Sequence, residues 1–231
     1  MNRRNVWLAI LSLALASPGL AADEESPYLV DKRDFKKTYK IIALMPVDSA
    51  PIIELPESAA KLLEAEITRH LEKRGYTVIP SADLAAIRET MSGQVGGLVD
   101  PASGEEDPEK RRAVREHSLR ELWFQREFDA VAKIYVSATK VRFADDRIEW
   151  DGAKAKLEKK GRNRGYEGTV YASSVSFEVY DQSERLLYVK YGGIEPLQWR
   201  DGAQLIPIAP EKLFSEEKTI KKAAQIAMKP I

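Results

Sequence analysis

The chain has 231 residues, and its 36 Lys and Arg balance its 36 Asp and Glu. That neutrality argues against a dedicated nucleic-acid binder, which carries a basic excess. The absence of cysteine excludes disulfides, thiol catalysis, cysteine-held zinc, iron–sulfur clusters and cysteine lipidation. Apolar residues at 44% and charged residues at 31% mark a globular chain, neither disordered nor polytopic in a membrane.

Residues 1–22 read as a cleavable export signal. Arg3 and Arg4 form a short positive segment, and Val6 to Ala16 is an apolar run broken only by Ser12. Leu20-Ala21-Ala22 then offers small residues ahead of Asp23. The apolar run falls short of the about 20 residues that cross a bilayer. The expectation is cleavage after Ala22 and release into the periplasm or the medium, with a retained anchor as the alternative. Residues 23–38 are charged and without period, so a flexible amino-terminal arm is expected there, followed by a single domain over 39–231.

Lys40 to Val47 is a continuous apolar run, the pattern of a strand buried on both faces. Ala59, Leu62, Leu63, Ile67 and Leu71 lay one apolar stripe on a helix from Glu57 to Arg74, closed by Gly75. A short strand over Tyr76–Pro80 follows, then a helix capped by Ser81 and running to about Thr90, with a loop to Gly104. Asp107-Pro108 starts a further helix to about Arg126, expected to bury Val114, Leu119, Leu122 and Trp123. Asp129 to Phe143 alternates as a long strand, with Val131, Tyr135, Val141 and Phe143 on one face. Strands over Tyr166–Tyr180 and Arg185–Tyr191 flank a turn at Asp181–Glu184, and Ser174, Ser176 and Glu178 mark a wet face. A loop over Gly192–Pro210 and a last helix over Glu211–Met228 complete the chain. The order predicts an α/β (α+β) fold, a single mixed sheet with helices packed on it.

The run Lys40-Ile41-Ile42-Ala43-Leu44-Met45-Pro46-Val47, the helix end Lys73-Arg74-Gly75-Tyr76-Thr77-Val78-Ile79 and the later Phe128-Asp129-Ala130-Val131-Ala132-Lys133-Ile134 carry a resemblance. Together they resemble the periplasmic α/β domain shared by the curli-secretion channel CsgG and the penicillin-binding-protein activator LpoB, and are similar to the TolB amino-terminal domain. The resemblance spans about residues 38–228 by element order. It implies a non-enzymatic role in envelope assembly, secretion or activation, and it carries over no catalytic residue. Most members are anchored through a lipidated cysteine, which this chain lacks.

Chemistry-bearing constellations are sparse. His70 follows Glu66 by four residues and His117 precedes Glu121 by four, but neither makes a recognised metal-ligand spacing. Both read as helix-surface histidines, with a hydrolase built on His70 or His117 and an acid as the alternative. No nucleophile elbow or phosphate-binding glycine loop is present. The acids of Asp145 to Gly152 lack the spacing of a calcium loop and read as a solvated transition. Lys154, Lys156, Lys159, Lys160, Arg162 and Arg164 form the one dense basic segment, suited to an anionic lipid surface or an acidic partner. Trp199, behind Gly192-Gly193, is the other candidate contact. The expected partner is another envelope protein or an envelope polymer, or a second copy of the chain, with no nucleic acid and no cofactor. A small-ligand carrier is the remaining alternative.

Overall fold

The computed structural model describes residues 26–99, 103–157, 167–201 and 204–231. The export-signal expectation for 1–22 lies outside the described residues. The fold is the mixed α/β arrangement expected, with helices packed on a large curled sheet.

The sheet is built around β4 (Ala130–Ala144). Along one edge β4 meets, in turn, β1 (Ile41–Leu44), the short β2 (Asp48–Ser49) and β5 (Arg147–Trp150). Along its whole other edge it pairs antiparallel with β7 (Glu167–Tyr180), which pairs with β8 (Leu186–Pro196). β3 (Thr77–Ile79) lies parallel outside β1, and β6 (Ala153–Lys156) antiparallel outside β5. β1, β3 and the start of β4 are parallel because helices form their crossovers, which is why β1 is apolar on both sides.

One face of this sheet is covered by α2 (Glu57–Lys73) and α5 (Glu217–Met228), the other by α3 (Ser81–Gln94) and α4 (Pro108–Arg126). The main core joins Leu63, Ile67 and Leu71 of α2 and Ala223, Ala224 and Ala227 of α5 to Ile42, Ile134, Val175 and Phe177. A second cluster sets Leu84 and Leu122 on Ala43 and Ile79 from the opposite side. Near its far end β4 turns back through Asp145-Asp146 into β5, and β5 turns through Asp151-Gly152 into β6. All four of these residues have positive φ, the twist that two-residue hairpin turns require. The β5–β6 hairpin curls over a third core of Val141, Phe143, Ile148, Trp150, Leu157 and Val170.

Several local expectations are corrected. The described part of the arm is ordered: α1 (Lys32–Thr38) forms under the cap of Asp31 and buries Phe35 completely. Ahead of it, Pro27 and Leu29 bond to the outer edge of β8 through Val189 N–H and Leu187 O. Phe35 and Tyr28 are too few apolar residues to give a helical period, yet each inserts into the main core. Ser81 is not a cap. Its hydroxyl and amide both donate to Glu64 of α2, and α3 runs on to Gln94. The loop expected over 192–210 holds the end of β8 and a hairpin of β9 (Gln198–Asp201) and β10 (Gln204–Pro207). The last helix starts at Glu217, because Pro210–Lys212 forms a separate turn and Phe214, at φ 56°, breaks the path. Trp123, expected inside, is 38% exposed beside the more exposed Phe124.

Glycine has a packing role at two neighbouring positions. A Cβ on Gly192 would lie 2.0 Å from the Ala223 carbonyl oxygen of α5, and one on Gly193 would lie 2.7 Å from the Trp150 indole nitrogen. The pair lets β8 be gripped from both faces at once.

Candidate partner-binding surface

Of the residues marked from sequence as partner contacts, Lys154, Lys156 and Trp199 are among the described ones. Lys154, on β6, is held by Glu149 at 2.7 Å across the hairpin, and Lys156 is exposed two residues on. Lys159, Lys160, Arg162 and Arg164 lie outside the described residues. Trp199 stands half-buried on β9 opposite Ile206, and its neighbour Arg200 is the one driven inward. Arg200 is 2% exposed, bonds through its amide to Leu157 O at 2.9 Å and pairs its guanidinium with Asp146.

His70 and His117 lie on opposite sides of the sheet, on α2 and α4. His70 faces the guanidinium groups of Arg69 and Arg74, at 3.4 and 3.3 Å. Burial and then these two cations push its pKa down, with Glu66 opposing. Glu66 itself is engaged by Arg69 at 2.5 Å. Among the described residues no group of acids and histidines could hold a metal ion. The acids from Asp145 to Asp151 serve the turns, the Lys154 and Arg200 pairs and the bond from Ser174.

A different surface emerges from the register. Directly paired residues share a face. On β4 and β7 the main-core pairs are Ala132 with Val179, Ile134 with Phe177 and Val136 with Val175. The intervening pairs point the other way: Lys133 with Glu178, Tyr135 with Ser176, and Ser137 with Ser174. β8 adds Val189 opposite Glu178 and Tyr191 opposite Ser176. At one end of this strip Val131 passes under the α3–α4 cluster, and at the other Val141 passes under the β5–β6 hairpin. In the strip between these ends Ser174 and Ser176 are buried, Lys133, Tyr135, Glu178 and Val189 are half-buried, and Tyr191 is exposed.

Its polar groups are tied together. Glu178 accepts from Ser176 at 2.9 Å and from the Tyr180 hydroxyl at 2.5 Å. Ser174 donates to Asp151 at 2.6 Å, and the Asp151 carbonyl takes the Gly193 amide at 3.0 Å, fixing the hairpin against the strip. The Lys133 ammonium sits 4.7 Å from the Tyr135 ring centroid. Tyr191 is 47% exposed. Burial, then the Glu178 and Asp151 carboxylates, raise the pKa of its phenol, and burial with the Glu178 bond raises that of Tyr180. Both phenols are therefore neutral donors at ordinary pH. The result is a surface on which the exposed Tyr191 stands beside the half-buried Tyr135 and the Glu178 carboxylate, suited to stacking on and hydrogen-bonding to an extended polar ligand.

The signal was partly present in the sequence. The alternation of Ser174, Ser176 and Glu178 picks out one face, but the wet face expected there is corrected: Ser174 and Ser176 are buried, bonded to Asp151 and Glu178, and only Glu178 is partly exposed. What no spacing gives is the pairing that brings β4, β7 and β8 side by side. Compared with known proteins, the chain matches no protein-family model and none of the curated proteins.

Proposed function

We propose that this protein is an exported, non-enzymatic interaction module of the Gram-negative envelope, and that it holds its partner on the partly exposed strip of β4, β7 and β8. The observation that carries the reading is the strip itself. Between its two covers the sheet keeps one band where Lys133, Tyr135, Glu178 and Tyr180 are half-buried and Tyr191 is exposed, in place of core residues. The export pattern of residues 1–22 and the resemblance to the CsgG, LpoB and TolB domains support the address and the accessory role. The chemistry of the strip favours an envelope polymer rich in hydroxyl groups, whose rings stack on tyrosine, over an acidic or strongly basic partner.

The test uses two tyrosines of equal exposure. Tyr191 lies on the strip, whereas Tyr171, 46% exposed, pairs with Lys140 on the opposite face. A photoreactive residue is placed at each position in the exported protein, and cells are irradiated. Cross-linking from position 191 to one envelope component, with none from 171, supports the reading. Equal capture from both positions, or capture from 171 alone, contradicts it.

A further inference from the structure

Three helices end at one corner of the molecule, on the side away from the partly exposed strip. α1 brings Lys32 and Lys36, the segment after it brings Lys40, the end of α2 brings Lys73 and Arg74, and the end of α5 brings Lys229. The corner is held by aromatic packing beneath it. Tyr28 meets Phe35 and Tyr188 at 5.2 and 5.1 Å between ring centroids, and its hydroxyl donates to Pro230 O at 2.8 Å. Lys32 lies 5.5 Å over the Tyr28 ring.

Arg74 is the centre of this corner, and among the described residues no carboxylate pairs with it. Its guanidinium lies 3.3 Å from His70 Nδ1 and donates to the carbonyl oxygens of His70 and Lys229, each at 3.4 Å. Among the described residues Lys32, Lys36, Lys40, Lys73 and Lys229 form no ion pair. Nearby acids are occupied otherwise. Asp31 caps α1, Asp129 accepts the Lys40 and Ile41 amides, and Glu66 holds Arg69. The carbonyl ends of α2 and α5 offset part of the charge, but two helix termini amount to about one negative charge. Asp31 and Asp129 keep their charge while they accept amides, and Asp34 and Glu72 lie on the same helices, yet the charged groups that act on Lys36 are the cations Lys32, Arg74 and Lys40. Burial and then these three cations lower the pKa of Lys36. His70 is lowered in the same sense.

The structure assigns to this corner a phosphate-binding site, with Arg74 as its fork and Lys32, Lys36 and Lys40 closing around the anion. A planar guanidinium with lysines on one side fits a phosphate better than a carboxylate, because three or more acceptor oxygens are needed to engage them all. The phosphate is either free or carried on a lipid headgroup. The inference is independent of the reading of the partly exposed strip, which lies on the other face of the sheet.

The test pairs two charge-matched variants of the full exported chain. Lys32→Gln with Lys36→Gln removes two charges from the site, and Arg33→Gln with Lys37→Gln removes two from the same helix one position on. Binding is measured to inorganic pyrophosphate by calorimetry, and to phosphatidylglycerol vesicles against phosphatidylcholine vesicles by co-sedimentation. Thermal unfolding of each variant is recorded beside it. Saturable pyrophosphate binding, weakened about tenfold or more by the first variant and about twofold or less by the second, supports a free phosphate ligand. Binding confined to phosphatidylglycerol vesicles with the same dependence supports a headgroup. Binding to neither probe, or equal loss in the two variants, overturns the proposal.

Discussion

The two halves of the β4–β7 ladder use one backbone to build two cores on opposite faces. Near Ala130 the even-numbered residues Ala132, Ile134 and Val136 are buried under α2 and α5. Beyond Thr139 the odd-numbered Val141 and Phe143 are buried instead, under the β5–β6 hairpin. β8 bends to serve both halves, through a register shift between Ala172 and Ser174. The difference explains why a partly exposed strip exists between them. Where burial changes face, the odd side has already left α3 and α4 and has not yet met β5–β6, so Lys133, Tyr135 and Ser137 stay in reach of solvent.

The largest effect should separate the two cores. Phe177→Ala, in the helix-covered half, should cost about 3–5 kcal/mol and shift the whole urea transition. Ile148→Ala, in the hairpin half, should cost about 2–5 kcal/mol, with amide exchange accelerating first in β5 and β6. Uniform acceleration across the sheet in the second variant would show one cooperative core where two are described. Next comes the grip on β8. Gly192→Ala meets backbone of α5 and should destabilise by about 3 kcal/mol or more, whereas Gly193→Ala meets the Trp150 and Ala153 side chains and should cost about 1–3 kcal/mol. Equal melting points for the two variants would contradict that ranking.

A smaller effect is tied to pH. Glu195 sits where β8 meets the turn before α5. Burial raises its pKa, the Phe214 amide lowers it, and Glu216 raises it again. The folded state therefore prefers the neutral acid. Its contribution is fully kept below the unfolded value of 4.5 and is lost as pH rises through the higher folded value. Glu195→Gln keeps an acceptor for Phe214, so stability at neutral pH should rise and the decline above that window should shrink. A variant less stable than the parent at neutral pH would place the charged form in the fold. Smallest of all, Lys154→Ala removes an exposed pair with Glu149 and should change stability by about 0–1 kcal/mol.

Much of the fold was legible because its elements are locally coherent. The stripe from Ala59 to Leu71, the Asp107-Pro108 start and the doubly apolar β1 each carry their own period or cap. Gly75 behaves as read, at φ 85°, with the Gly75 and Tyr76 amides returning to Glu72 and Leu71. What failed depends on distant partners. Tyr28 and Phe35 are ordered by Tyr188, and Ser81 by Glu64. Arg200 is buried by a pairing that makes β9 a strand. The candidate surfaces were less legible still. The strip needs three strands in register, and the basic corner gathers residues from 32 to 229, whereas charge density along the chain points to 154–164.

The central claim is that the strip, and no other equally exposed aromatic surface, is covered when the protein is at work. Radical labelling of tyrosine tests it directly, on the purified protein and in intact cell envelopes. The account predicts that Tyr191 is modified in the purified protein and protected in the envelope, while Tyr171 is modified in both. Equal modification of Tyr191 in the two settings would contradict it.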